Sequence, residues 1–302
     1  MTAGPGGGRF APSPTGPLHL GSLLAATASW LDARRLGMPW RVRFDDLDAP
    51  RNMPGAERSI LLALERHALH WDGPVERQSE RLDDYRHALA MLDARGELFY
   101  CRCTRSELKG FRVYPGTCRD QREPRPDRAA RIRVDDAAVE FDDLIQGPQR
   151  QSLADAPGDF VVRRRDGIIA YHLATAVDDG APGIARVIRG RDLLPATGPQ
   201  LFLMQRLGLN PPVYGHLPLI RSQNGQKLSK QNLAPALDNT RAAENLARVL
   251  TLLGLDPGPH AEQREPADLL AEAVPRFSPA TVSKHDGFVT ISRHDPGTHR
   301  RA

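Results

Sequence analysis

The chain has 302 residues, enough for about two structural units at roughly 150 residues each. Charged residues make up 26% and apolar ones 40%, which excludes a disordered chain and fits a globular one. A net charge of +4 tolerates an anionic partner without requiring one, because solvated arginines give the same figure.

No apolar run reaches the ~18 residues needed to span a bilayer. The start, from Met1 to Gly8, has neither the basic cluster nor the apolar stretch of a signal peptide, so a cytoplasmic location is expected. Three cysteines, an odd number, argue against a secreted disulfide framework. Lysine is scarce: Lys109, Lys227, Lys230 and Lys284 stand among 41 basic residues.

In chain order, a Gly-rich start leads to a short strand at Arg9–Pro12 and a turn-rich loop, Ser13-Pro14-Thr15-Gly16-Pro17. Leu20, Leu23, Leu24, Ala28 and Leu31 then recur at helical spacing, and Gly37 stops that helix. Trp40–Phe44 reads as a second strand. Strand, helix and strand in so short a span form a βαβ unit and predict a parallel sheet. Helices are expected near 54–70 and 79–95. Residues 99–127 lose periodicity and gain cysteines, Pro, Gly and arginines, the mark of an insertion. Strands resume at Ala130–Val134 and Asp159–Arg164, followed by an apolar run at Ile168–Val177. A strand at Ile184–Ile188, a helix at about 196–208 and a strand at 216–221 come next. Helices are expected at 241–254 and 266–274, and the polar tail beyond about 285 is expected to be disordered. The organisation predicted is α/β: a Rossmann-like core in two halves (1–98 and 168–240), an insertion (99–167) and a short helical region with tail (241–302).

Two motifs carry chemistry. The first runs from Arg9 to Ser22, where a strand feeds a Pro/Gly loop into a helix N-terminus, a natural cradle for phosphate. His19 stands at that helix start, and Gly21 lets a nucleotide approach the backbone. The second is Lys227-Leu228-Ser229-Lys230, two of the four lysines within four residues, suited to the triphosphate of ATP. Either alone has a bland reading, as a capping loop or a solvated surface loop. Together, Pro-x-Pro-x-Gly-x-Leu-His-x-Gly and Lys-x-Ser-Lys resemble the two signatures of class I aminoacyl-tRNA synthetases. Arg43–Asp48, Trp71–Pro74, Tyr171–Ala174 with Val177-Asp178-Asp179, and Arg189–Leu193 narrow the resemblance to the glutamyl branch. It covers about residues 8–240.

All three cysteines, Cys101, Cys103 and Cys118, fall within 18 residues. In a cytosolic chain that favours a metal over a disulfide, and three thiolates fill three tetrahedral positions on Zn²⁺. No His lies nearby; the resemblance implies Tyr114 as fourth ligand and one structural zinc. Too little chain follows Leu233 for an anticodon-reading domain. With Tyr114-Pro115-Gly116-Thr117-Cys118, that shortness resembles the glutamyl-queuosine tRNA(Asp) synthetase family, in which ATP-activated glutamate is transferred to queuosine in the anticodon of tRNA(Asp).

That resemblance implies the following roles. Arg9 and Arg189 pair with the glutamate side-chain carboxylate, while Ala11 and Ser13 line its pocket. Tyr171 closes the pocket and Asp45 holds the α-ammonium. His19, Gly21, Lys227, Ser229 and Lys230 bind ATP, which enters with Mg²⁺, and His19 and Lys230 act in catalysis. Ser22 replaces the second His of the general signature, Leu228 and Gln231 replace Met and Ser, and Asp45 stands where glutamate is usual. Arg119, Arg122 and Arg125 are candidate contacts to loop phosphates, with a solvated arginine face the alternative. A monomer is expected. Two other functions fit the sequence: a truncated synthetase charging the 3′ end of tRNA(Glu) or tRNA(Gln), and a non-catalytic zinc-containing RNA-binding protein.

Overall fold

A computed structural model describes residues 6–222 and 235–289. Its centre is a five-stranded parallel sheet of order β10-β9-β1-β2-β3, formed by Val213–Leu217, Ile184–Gly190, Gly7–Phe10, Trp40–Phe44 and Glu76–Arg77. β1 pairs with β2 in register Gly8 to Trp40, Arg9 to Arg41 and Phe10 to Val42, joined by helix α1 (Leu20–Arg35) as the βαβ pattern predicts. Glycines at the start of β1 allow close packing: a Cβ on Gly8 would sit 3.0 Å from Cβ of Ala33 on α1. Gly37, at φ +64°, ends the turn after α1.

Helices α2 (Ala56–Arg66) and α3 (Leu82–Ala94) follow, close to the expected spans. Next, β4 (Leu98–Cys101) pairs antiparallel with β5 (Ala129–Ile132), itself paired with β8 (Val161–Arg163). Between β5 and β8 stands a hairpin, β6 (Ala138–Asp143) and β7 (Gly147–Ser152). The apolar run after β8 becomes helix α4 (Tyr171–Asp179), and α5 (Leu194–Leu207) joins β9 to β10.

Two expectations need correction. The strand expected at 216–221 is two strands, β10 and β11 (Ile220–Ser222), because Pro218 has no N–H to continue a ladder. The tail is not wholly irregular from residue 285: β12 (Gly287–Val289) pairs in parallel with β11. The rest of the tail lies outside the described residues.

Right-handed crossovers that leave β1 and β9 in opposite directions place α1 and α5 on opposite faces of the sheet. Two apolar cores result. One joins Leu23, Leu24 and Leu31 of α1 to Trp40 and Val42, and also to Leu246, Val249 and Leu250 of α6 (Ala242–Leu252) and Leu269 and Leu270 of α7 (Pro266–Ala273). The C-terminal helices therefore complete the core over α1. The other joins α3, α4 and α5 to the β4-β5-β8 sheet through Tyr85, Leu173, Phe202 and Ile132. Among the described residues no helix is long and apolar enough to cross a membrane.

Candidate active site

β1 and β9 are parallel neighbours whose chains depart to opposite sides, so a crevice opens beyond their carboxyl ends, where doubly wound folds bind ligands. Arg9 lies on β1, Ala11 and Ser13 follow it, and Arg189 lies on β9. Asp45 follows β2, and its backbone N–H donates to Pro12 O at 3.1 Å, tying the strand end to the loop after β1. Tyr171 opens α4 and is 38% exposed, at the rim rather than the floor.

His19 caps α1. Its Nδ1 accepts from the backbone N–H groups of Gly21 (3.1 Å) and Ser22 (3.3 Å), and Ser22 Oγ accepts from His19 N–H at 2.8 Å. A neutral ring with Nδ1 as acceptor carries its proton on Nε2. The cap thus orients the imidazole, with the ring proton on Nε2. Lys227, Ser229 and Lys230 lie outside the described residues. Where the described chain resumes, Leu237 N–H donates to Leu18 O (2.9 Å), beside His19.

Beneath the crevice, charges are balanced. Arg9 donates Nε and Nη2 to the two oxygens of Asp179, at 3.1 and 2.7 Å. Arg43 donates to Asp179 (2.8 Å) and to Asp45 (2.9 Å) and lies 3.4 Å from Asp178. Asp178 also accepts from Gln78, Arg81 and Tyr85. Burial alone would raise the Asp179 carboxyl, but Arg9 and Arg43 outweigh it and hold it well below the usual carboxylate range. Burial dominates at Asp45 and Asp178, whose carboxyls are raised despite their arginines.

Arg189 is different. It is buried, and every hydrogen-bond acceptor it meets is neutral: His216 Nε2 at 3.0 Å, Thr197 Oγ1 at 2.9 Å, Gln200 Oε1 at 2.8 Å and Leu193 O at 3.5 Å. Tyr214 presents its ring face 5.0 Å from the guanidinium. Arg189 Nη1 is buried with no hydrogen-bond partner, as are Gln200 Nε2, Tyr214 OH, Thr175 Oγ1 and His172 Nδ1. Among the described residues three arginines are buried, Arg9, Arg43 and Arg189, and only Arg189 has no carboxylate partner. A buried cation beside unsatisfied polar atoms suits a polar, anionic guest. Burial, with the Arg189 charge, pushes His172 down to about 4, so it adds no second cation near neutral pH.

At the end of β4 and in the loop that follows it, the cysteines converge. Sγ atoms of Cys101, Cys103 and Cys118 lie within 4.8 Å of one another, with Cys103 and Cys118 3.7 Å apart. Tyr114 OH is 3.4 Å from Cys101 Sγ and 3.9 Å from Cys103 Sγ. Tetrahedral Zn–S bonds of about 2.3 Å place sulfurs about 3.8 Å apart, and a Zn–O bond of about 2 Å places oxygen about 3.5 Å from each sulfur. The donor set fits a zinc ion. Arg131 sits over the Tyr114 ring (4.1 Å), and Phe99 packs beside it.

The family described as tRNA synthetases class I (E and Q), catalytic domain, matches residues 7–262. The chain is 46% identical over 278 residues to the glutamyl-Q tRNA(Asp) synthetase of Pseudomonas aeruginosa, which covers 92% of this chain and 95% of the relative. It is 48% identical over 286 residues to that of Thiobacillus denitrificans, with the same coverage. This chain belongs to the glutamyl-Q tRNA(Asp) synthetase family of class I synthetases.

Family membership makes it a ligase of the synthetase class and accounts for the switch-point crevice. A glutamate tRNA ligase from Elizabethkingia meningosepticum, solved in complex with its amino acid, superposes with a TM-score of 0.78 at 25% identity. That match covers 93% of this chain but 66% of the ligase, so this synthetase spans about two thirds of the longer protein. Arg9, Asp45 and Arg189 lie on or just beyond the carboxyl ends of β1, β2 and β9, Ala11 and Ser13 follow β1, His19 caps α1 and Tyr171 opens α4, while Cys101, Cys103, Tyr114 and Cys118 converge on one point. Sequence reasoning missed Asp143, His216, Thr197 and Gln200 around Arg189, and gave Asp178 and Asp179 no task beyond their motif. The doubled acid at the end of an apolar helix was the one signal available. Arg119 is tied to Asp135 and Asp159, Arg122 donates to Gly96 O, and Arg125 faces Glu123.

Proposed function

We propose that this synthetase activates L-glutamate with Mg²⁺-bound ATP and transfers it to queuosine in the anticodon of tRNA(Asp). The observation that carries the reading is Arg189, a buried guanidinium without an anion and with Nη1 unpartnered, suited to the side-chain carboxylate of glutamate. Arg9 Nη1 makes no hydrogen bond among the described residues, so it adds a second donor while Asp179 neutralises its fork. Asp45 shares one oxygen with Arg43 and offers the other to the α-ammonium. Ala11 and Ser13 line the pocket, and Tyr171 closes it at the rim.

With the substrate so held, the α-carboxylate attacks the α-phosphorus, a new O–P bond forms, and pyrophosphate leaves. His19 and Gly21, at the start of α1, stand where the phosphates would lie, with Gly21 leaving room for them, while Lys227, Ser229 and Lys230 stabilise charge on the leaving group. Attack by a hydroxyl of the queuosine ring on the adenylate carbonyl then releases AMP. Positioning and charge stabilisation supply the catalysis, with no covalent enzyme intermediate. The four donors of the cysteine cluster leave no open position, so zinc there is structural. Phosphates of the RNA loop would meet Arg102, Arg105, Lys109 and Arg112, which are exposed and make no side-chain ion pair among the described residues, beside the 58%-exposed Phe111. The family likeness supports the tRNA(Asp) assignment, and the protein is expected to work as a cytoplasmic monomer.

The test has two stages. ATP–pyrophosphate exchange that depends on glutamate without tRNA establishes activation. Labelled glutamate should then appear on a queuosine-containing tRNA(Asp) anticodon stem-loop. Label on unmodified tRNA(Glu) that vanishes with its terminal adenosine would assign the chain to 3′-end charging instead.

A further inference from the structure

Arg189 is oriented by residues that lie outside the two motifs read from the sequence. Its Nε donates to His216 Nε2 at 3.0 Å, and His216 Nδ1 lies 2.5 Å from Asp143 Oδ2. Asp143 is itself anchored: its Oδ1 accepts from the backbone N–H groups of Ile145 (3.0 Å), Gln146 (2.8 Å) and His216 (3.0 Å). All three side chains are buried.

These contacts fix the position of one proton. A guanidinium nitrogen can only donate, so His216 Nε2 must accept and the imidazole proton sits on Nδ1, given to Asp143. A protonated ring would set two N–H donors against each other at 3.0 Å. We propose that His216, oriented by Asp143, is a positioning residue that holds Arg189 through a neutral acceptor, leaving its full charge and its Nη1 for the carboxylate of the substrate. This rests on the glutamate reading above. Arg9 shows the alternative: an anionic partner, Asp179, occupies two of its three nitrogens. An acid at position 216 would make Arg189 a second Arg9.

The groups facing the ring are Asp143 from β6, Arg189 from β9, Thr197 from α5 (Oγ1 to Nε2, 3.1 Å) and the stacked Tyr214 ring of β10 at 6.0 Å, with Arg9 of β1 acting through its charge. Burial is the largest influence and opposes protonation. The hydrogen bond to Asp143 favours it, Arg189 opposes it, and the net result lies below the ordinary histidine value. The ring is therefore neutral near pH 7 and gains a proton only in acid, where Nε2 stops accepting and KM for glutamate rises.

The experiment measures glutamate-dependent ATP–pyrophosphate exchange by the full chain across pH, for wild type and three variants. His216→Glu should raise KM for glutamate by about 30-fold or more with kcat changed by only a few-fold, the split expected when a ground-state contact is lost. His216→Leu should also raise KM. His216→Gln, whose amide can both accept from Arg189 and donate to Asp143, should bring KM back to within about fivefold of wild type and abolish the acid limb. If a variant fails to fold, Asp143→Asn decides: loss of the anion should move the acid limb of KM to lower pH. An unmoved limb overturns the proposal. So does unchanged KM in His216→Glu while wild-type exchange depends on glutamate. Wild-type exchange that ignores glutamate overturns the glutamate reading itself, and this inference with it.

Discussion

The crevice and the cysteine knuckle are held together in opposite ways. In the crevice, Arg9 and Asp179 meet across 170 residues of chain, and Arg43 and Asp179 across 136. Large apolar cores on both faces of the sheet bring those strands together, and the ion pairs then need only to match one another. In the knuckle, the partners lie between Cys101 and Cys118, and the apolar cluster there is Phe99, Cys101 and Cys118 with Cys103 and Tyr114 against it. So small a cluster buries too little surface to order its own loop. Burial, with the neighbouring sulfurs, pushes the Cys103 thiol up to about 11, a cost that a bound cation reverses. One region is fixed by packing at a distance, while the other gathers the donors for a local ligand.

The sharpest way to break this contrast is to remove the ligand. Cys103→Ser should abolish stoichiometric zinc and raise hydrogen exchange across 101–118 while the parallel sheet stays protected. Zinc sites in finger peptides contribute about 10–16 kcal/mol at pH 7, so this local effect is expected to be the largest. Metal analysis that finds no zinc in the wild type, with three freely titrating thiols, would end the comparison. Next in size, Asp179→Asn should lower unfolding stability in urea by about 3–5 kcal/mol, because two buried guanidinium groups lose their shared anion. The sign with pH follows from the direction of its shift. A depressed carboxyl stabilises the fold above its unfolded value near ~4 and loses that contribution only as pH falls further, so the variant should show a shallower acid slope than the wild type.

Arg189→Ala should raise KM for glutamate by the equivalent of about 2–4 kcal/mol, read from glutamate-dependent exchange. Wild-type kinetics in that variant would remove Arg189 from the glutamate site. The smallest effect belongs to the surface of the knuckle. Arg105→Ala should reduce the slope of log K against log salt for tRNA by about one and cost about 1 kcal/mol, whereas Arg119→Ala, already tied to Asp135 and Asp159, should leave the slope unchanged. Equal slopes for both variants would show that the unpaired cations are no better placed for phosphate than the paired ones.

What the sequence alone determined is whatever rests on neighbours in the chain. The βαβ unit, the helix that starts at His19, and the Cys101, Cys103, Tyr114 and Cys118 set are all of this kind, because helical spacing and short metal loops act over a few residues. The break at Pro218 was equally local and could have been read from its missing N–H. Strand order was not written locally, and with it went the partners that tune the site. Arg9 showed no sign of Asp179, and Arg189 none of His216 and Asp143, although His216 is 27 residues away and Asp143 a further 73 from His216. The pairing of β12 with β11, and the closing of the core over α1 by α6 and α7, were decided the same way. Tertiary structure settles these because burying two faces of one twisted sheet selects which strands are adjacent, and adjacency decides which buried charge meets an acid and which is left for the substrate.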